Sequence, residues 1–213
     1  MEIENSNIAI DKQQLAKMPT EAFGGEIVVV DTPEAVDEAV GYLTLQGLVG
    51  FDTETKPSFK KGQVNNVSLM QISTDTRCYL LRLNKTGLTD SIRRFLEDET
   101  VTKIGLSLKD DFMVLHRIGE FTPQGFIDLQ TTVKAFHITD CSLQKIYGIV
   151  FGRRISKSQR LSNWEAGTLS PSQCLYAATD AWACLRIYHT LLSGDFHPHL
   201  QPESTTSSQQ LPS

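Results

Sequence analysis

A chain of 213 residues, 40% hydrophobic and 21% charged, has the size and composition of one soluble domain with a sizeable core. No apolar run approaches the roughly 18 residues needed to span a bilayer, and Met1 to Phe23 lacks the apolar stretch of a secretory signal, so no membrane partner and a cytoplasmic location are expected. A net charge of −5 excludes a strongly basic nucleic-acid coat protein, but not a nucleic-acid enzyme whose acidic ligands are neutralised locally by metal ions.

Residues 1–24 read as a flexible leader and residues 197–213, rich in Pro, Gln, Ser and Thr, as a disordered tail. Residues 25–196 between them read as one compact domain. The four cysteines, Cys78, Cys141, Cys174 and Cys184, have no C-x-x-C spacing, which argues for reduced, mostly buried thiols rather than zinc or a disulfide framework.

Glu26 to Val30 reads as a first strand. Thr32 is an N-cap followed by Pro33 at the first helical position, and the helix should run to about Gln46, where Gly47 stops it. Leu48 to Glu54 is the next strand. Its end carries Asp52 and Glu54, two apart and therefore on the same side. Two carboxylates leaving a hydrophobic strand together are costly to bury without a cation, and hard divalent cations favour such oxygen ligands. Val67 to Ile72 and Cys78 to Leu83 follow as strands around the polar turn Ser73–Thr76, which suggests an antiparallel meander. A helix near Asp90 to Glu97 and a short strand from Lys103 to Leu106 come next. Strands first, then strand alternating with helix, indicate an α/β fold with a mixed sheet flanked by helices.

Leu108 to Ile118 reads as a helix. At about 100° per residue, Leu108, Phe112, Leu115 and Ile118 share a face, with Asp111 inside that stripe and Asp110 nearly opposite its centre. An aspartate in a first helical turn is also favoured by the helix dipole, so both readings of Asp111 stay open. The last helix opens with a capping box, Ser170 to Gln173, with Pro171 at the first helical position, and runs to about Leu192. Tyr176 and Asp180 stand one turn apart at a margin of its apolar face, while Thr179, Arg186 and His189 lie on the opposite face. A metal, a lysine or a backbone amide could each answer Asp180, and Tyr176 could be a core tyrosine. Taken together, Asp52, Glu54, Asp111 and Asp180 all project inward and would repel one another strongly unless cations joined them.

These residues, in this order, resemble the DEDD superfamily of 3′–5′ exonucleases, to which ribonuclease D also belongs. The first motif resembles Phe51-Asp52-Thr53-Glu54-Thr55, the second the run from Lys103 to Asp111, and the third the run from Tyr176 to Ala183. Tyrosine four before the last aspartate marks the DEDDy branch. Leu161 to Trp164 and Leu175 to Ala183 are especially similar to the exonuclease domain of the Werner syndrome protein. The resemblance covers about residues 25–192. It implies a ribonuclease H-like fold with a mixed five-stranded sheet, so that residues 25–196 would form a 3′–5′ exonuclease domain. It also implies a two-metal hydrolysis, with Mg2+ or Mn2+ ions roughly 3.5–4 Å apart clamping the scissile phosphate. Asp52 would bridge both ions, Glu54 and Asp180 would complete the site of the water-activating ion, Asp111 would support the second ion, and Tyr176 would orient the attacking water. The product would be a nucleoside 5′-monophosphate.

Lys56, Lys60 and Lys61 follow the first motif, and Arg153, Arg154, Lys157 and Arg160 form a run without any acid between them. Both are candidate contacts to nucleic-acid phosphates, or else solvated loops. Phe59 and Trp164 could stack on terminal bases, and Trp164 is equally readable as core. The expected partner is single-stranded or 3′-recessed DNA or RNA, with any helicase partner on a separate chain. The competing readings are a non-catalytic nucleic-acid-binding module of the same fold, and a phosphodiesterase acting on small substrates.

Overall fold

The computed structural model describes residues 7–60, 62, 64–194 and 196–199. A short helix, α1 (Lys12–Lys17), precedes β1 (Glu26–Val30), α2 (Pro33–Leu43), β2 (Leu48–Thr55), β3 (Val67–Ser73) and β4 (Arg77–Leu81). Then come α3 (Leu83–Thr86), α4 (Asp90–Leu96), β5 (Thr102–Gly105) and α5 (Leu108–Leu115). The chain continues through β6 (Phe126–Asp128), α6 (Leu129–Thr132), a 3-10 turn at Val133–Phe136, α7 (Leu143–Phe151) and the long α8 (Pro171–Leu192).

The strands form one sheet in the order β1-β4-β3-β2-β5-β6. β3 runs antiparallel to β2 and β4, and the remaining neighbours pair in parallel. The meander and the mixed sheet are as expected, but the sheet has six strands rather than five. The sixth, β6, pairs three residues with β5, which is too short a run for alternation to show in the sequence.

Every residue of β3 is buried, because helices cover both faces of the sheet. On one side, Val49, Phe51, Met70 and Ile72 pack with Val36, Leu43 and Phe95 from α2 and α4. On the other, α7 and α8 cover Ile104, Leu69 and Leu80 with Ile146, Ile187, Ala177 and Ala178. Burying each such aliphatic or aromatic side chain is worth about 1.5–3 kcal/mol. α8 lies unusually close to β2. A methyl group at Gly50 would sit 1.9 Å from the Ala181 carbonyl oxygen, so only glycine lets the helix backbone approach here. The helix offers Ala177, Ala178 and Ala181, all fully buried, as its own small residues at the contact.

The expected leader is largely folded. Asp11 caps α1 in a reciprocal capping box, and Ile8 and Thr20 form bridges to Ile138 and Arg154. Ile10, Leu15 and Phe23 are buried in the core. These apolar residues stand singly among polar ones, so no stripe announces them, yet each fills a place against α7 or α8. The Phe23 amide donates to Thr179 Oγ1 at 3.1 Å, and its ring packs 5.9 Å from that of Trp182. The Glu21 carboxylate accepts from Tyr147 Oη at 2.7 Å and pairs with Arg186 at 2.9 Å. Thr179 and Arg186, expected on the outer face of the last helix, are therefore covered by this segment. At the other end, the His199 amide donates to the Ile149 carbonyl at 2.8 Å. Residues 200–213 of the expected tail, and residues 1–6 of the leader, lie outside the described residues.

All four cysteines are free, with Cys78 and Cys184 buried and Cys141 exposed. Among the described residues no helix is long and apolar enough to cross a membrane.

Candidate active site

β2 alternates between the two faces of the sheet, so Gly50, Asp52 and Glu54 share the face that α8 covers. The close passage of α8 over Gly50 brings Asp180 to the same place. Asp52, Glu54 and Asp180 each present a carboxylate oxygen within 4.8 Å of the others. At the end of β2 the pairing changes from Glu54–Leu69 to Thr55–Val67, a bulge that ends regular pairing beside the site.

Asp111 comes from the other side. It is buried on α5, as the helical phase indicated, and accepts a hydrogen bond from the Thr53 hydroxyl. It stands outside the triplet but near enough to Asp52 to feel its charge.

Burial and mutual repulsion disfavour the charged forms of these carboxylates. Burial and the Asp180 charge raise Asp52 well above the usual carboxylate range. Burial, then the charges of Asp52, Asp180 and Asp111, push Glu54 up to about 10, with Arg160 opposing. Burial pushes Asp180 up to about 7 against the opposing pull of the Tyr176 hydroxyl and Lys157. Burial and then Asp52 raise Asp111, against the Thr53 hydrogen bond. Such a group is a site for a multiply charged cation, because binding one turns mutual repulsion into shared attraction. The donor set consists of carboxylate oxygens, which suits magnesium or manganese and not a thiolate-seeking metal.

Tyr176 sits one helical turn before Asp180, its hydroxyl near enough to the Asp180 carboxylate to favour that group's charged form. Burial and the nearby acids push its own pKa well above the ordinary tyrosine value, so it stays a donor at neutral pH. Trp164 lies behind it, ring centroids 6.0 Å apart. This corrects one expectation: Trp164 is fully buried and cannot stack on a nucleotide base. It packs with Phe23, Leu169 and Tyr176 in the layer beneath α8.

The basic segments divide. Lys157 and Arg160 are exposed and near enough to the acids to favour their charged forms, Lys157 for Asp180 and Arg160 for Glu54. Arg153 and Arg154 are occupied elsewhere. Arg153 lies 3.9 Å from Glu21, and Arg154 donates through Nε to the Met18 carbonyl at 3.1 Å. Arg154 thus helps to hold the N-terminal segment, and Arg153, half exposed, borders it. Lys56 pairs with Glu165 at 2.8 Å, while Lys60 is exposed and Lys61 lies outside the described residues. Phe59 is 84% exposed and so free to meet a base.

Asp128 and Gln130 escaped the sequence reading. α5 begins after Ser107, which holds a left-handed conformation at φ 63° and makes no side-chain cap. The Asp128 carboxylate at the end of β6 accepts instead from the amides of Ser107 (3.3 Å), Leu108 (2.9 Å) and Gln130 (2.8 Å). Gln130 Nε2 then donates to Ser107 Oγ at 2.7 Å. This clamp fixes the start of the helix that carries Asp111. The available signal was an aspartate two residues before a glutamine at a helix start, which reads only as an ordinary N-cap.

Residues 27–193 match the family model for the 3′-5′ exonuclease domain. A 3′-5′ exonuclease of Arabidopsis thaliana is 29% identical over 199 residues, covering 81% of this chain and 66% of that protein. The bifunctional 3′-5′ exonuclease/ATP-dependent helicase WRN of Mus musculus is 31% identical over 150 residues, covering 68% of this chain and 11% of that protein. Among solved structures, RNase D of Escherichia coli, an exoribonuclease involved in structured RNA processing, superposes with a TM-score of 0.71 at 21% identity. That match covers 79% of this chain and 44% of the RNase D chain. With a mixed sheet flanked by helices, an acidic triplet under its longest helix and a family match over nearly the whole folded region, the chain belongs to the 3′–5′ exonuclease family of the DEDD superfamily.

Proposed function

We propose that this domain hydrolyses single-stranded or 3′-recessed nucleic acid, DNA or RNA, from its 3′ end to nucleoside 5′-monophosphates, using two divalent cations, Mg2+ or Mn2+. The observation that carries this reading is the convergence of Asp52, Glu54 and Asp180 under α8, with Tyr176 one helical turn before Asp180. Asp52, Glu54 and Asp180 would hold one cation, with Asp52 shared and Asp111 serving the second. Bound there, the cations would supply a water of lowered pKa and positive charge for the phosphate oxygens.

The protein's own groups do the rest. Tyr176 remains protonated, so it orients a water by hydrogen bonding and does not act as a base. Thr53 and the Asp128 clamp hold Asp111 in place. Lys157 and Arg160, near the acidic cluster, would take phosphates of the incoming strand, and the exposed Phe59 would stack on its bases. A helicase on a separate chain would be a natural supplier of such strands.

Incubation of the protein with a 5′-labelled oligonucleotide and Mg2+ or Mn2+ tests this reading. A free 3′ end should give a stepwise ladder, and a blocked 3′ end should stall it. Equal digestion of both strands, or cleavage confined to small phosphodiesters, would sink it.

A further inference from the structure

Gln71 lies in the middle of β3, fully buried, and neither its Oε1 nor its Nε2 has a hydrogen-bond partner. A primary amide brings two donors and two acceptor positions into the core, and leaving such a group unmet costs about 1–3 kcal/mol. Leucine or methionine would fill the same space without that cost.

The place of the amide explains it. Gln71 is the direct antiparallel partner of Asp52. Directly opposed residues point to the same face, with Cβ atoms about 4.5–5.5 Å apart. Both side chains therefore stand under α8. The Trp164 indole N–H, in the same layer as Leu69 and Leu80, is also buried without a partner, but it can only donate and so cannot answer the amide's Nε2. Leu69 is buried two residues along β3, and Leu80 is the β4 partner of Gln71. The Ser73 hydroxyl donates to the Thr74 carbonyl, and Gly50 is closed over by Ala181.

We propose that Gln71 is a positioning residue for the metal centre: its Nε2, unpartnered in the metal-free protein, turns to donate to the Asp52 carboxylate when divalent cations bind and fixes the orientation in which that carboxylate meets them. Partners in the shell behind metal ligands commonly matter by about 10–100-fold in metal affinity or activity. This inference rests on the exonuclease reading for its rate effect but not for its binding effect.

The test compares Gln71→Met and Gln71→Leu with the unsubstituted protein by thermal denaturation, by Mn2+ binding to the metal-free protein, and by steady-state exonuclease kinetics. Removing an unmet buried amide should leave Tm unchanged or raise it. The Mn2+ concentration for half-saturation should rise about tenfold, and kcat should fall about 10–100-fold with little change in KM. Wild-type Mn2+ binding and kcat in Gln71→Met would overturn the proposal. So would a lowered Tm with unchanged activity per folded molecule, or failure of both variants to fold, since each marks Gln71 as a packing residue. Should the unsubstituted protein bind Mn2+ yet cleave nothing, the exonuclease reading fails while the Mn2+ comparison still decides the role of Gln71.

Discussion

Lys103 and the acidic triplet both bring charge into the fold, and they treat it in opposite ways. Lys103 on β5 is fully buried, yet its ammonium donates to the Phe95 and Asp98 carbonyls at 3.1 and 2.5 Å. It also lies over the Phe95 and Phe126 rings, 5.3 and 4.9 Å from their centroids. That charge is answered from inside the fold and ties the end of α4 to the sheet. Asp52, Glu54 and Asp180 have the Thr53 backbone amide beside Asp52, the Tyr176 hydroxyl near Asp180 and the distant help of two exposed cations. A charge that serves structure is satisfied by its own protein. A charge left unsatisfied, at a cost the fold bears, is reserved for something that arrives from solution.

The comparison breaks most sharply at Asp180. Asp180→Ala should lower the exonuclease rate by at least about a thousandfold, because a ligand and the Tyr176 acceptor are lost together. The same change should raise the Tm of the metal-free protein at pH 8 by relieving repulsion. A folded variant that cuts at the normal rate would remove Asp180 from the site. Next in size is Asp128→Asn. An amide cannot accept from three backbone N–H groups as the carboxylate does, so α5 and Asp111 should lose their register and kcat should fall about 10–100-fold. Circular dichroism should show an intact fold.

Lys103→Met should show the reverse pattern. Two carbonyls lose their donor, so stability should drop by about 1–3 kcal/mol in urea denaturation, while turnover per folded molecule stays unchanged. A matching loss of turnover would mean that the two charged regions are not independent.

The smallest effect is in pH. In metal-free protein, Asp180 at about 7 and Glu54 at about 10 lie above their ordinary carboxylate values. The folded state therefore keeps protons that the unfolded state releases. This stabilising contribution is complete below the ordinary carboxylate range and is lost as pH rises through the folded values. Burial lowers Lys103 to about 8, so its contribution has the opposite sign and grows as pH rises from there toward the ordinary lysine value. Tm in a chelator should fall between pH 5 and pH 8. Asp180→Asn should flatten that slope, and saturating Mg2+ or Mn2+ should reverse it. A flat profile in the unsubstituted protein would show that the acids do not repel.

Much of this was legible in the sequence. Strand parity put Asp52 and Glu54 on one face, and helical phase chose Asp111 over Asp110. The capping box fixed the start of the helix that carries Tyr176 and Asp180. What escaped was whatever depends on a partner remote in the chain. Ile10, Leu15 and Phe23 looked isolated because the surface they fill is built by α7 and α8. Trp164 reads equally well as a base platform or as core, and only the packing against Tyr176 decides. The run from Arg153 to Arg160 is uniform in charge but not in direction, since Glu21 and Met18 claim its first two members. Gln71 is hidden inside an apolar run, and its meaning comes from the residue across the sheet.

The N-terminal segment changes where this domain begins. A boundary drawn at residue 25, where the composition shifts, would discard Phe23 and Glu21, which brace the back of α8 through Thr179, Trp182 and Arg186. The acids themselves would remain, but the helix that supplies Asp180 would lose its backing. A protein trimmed there and found inactive would look like a faulty catalyst when its fault was mechanical.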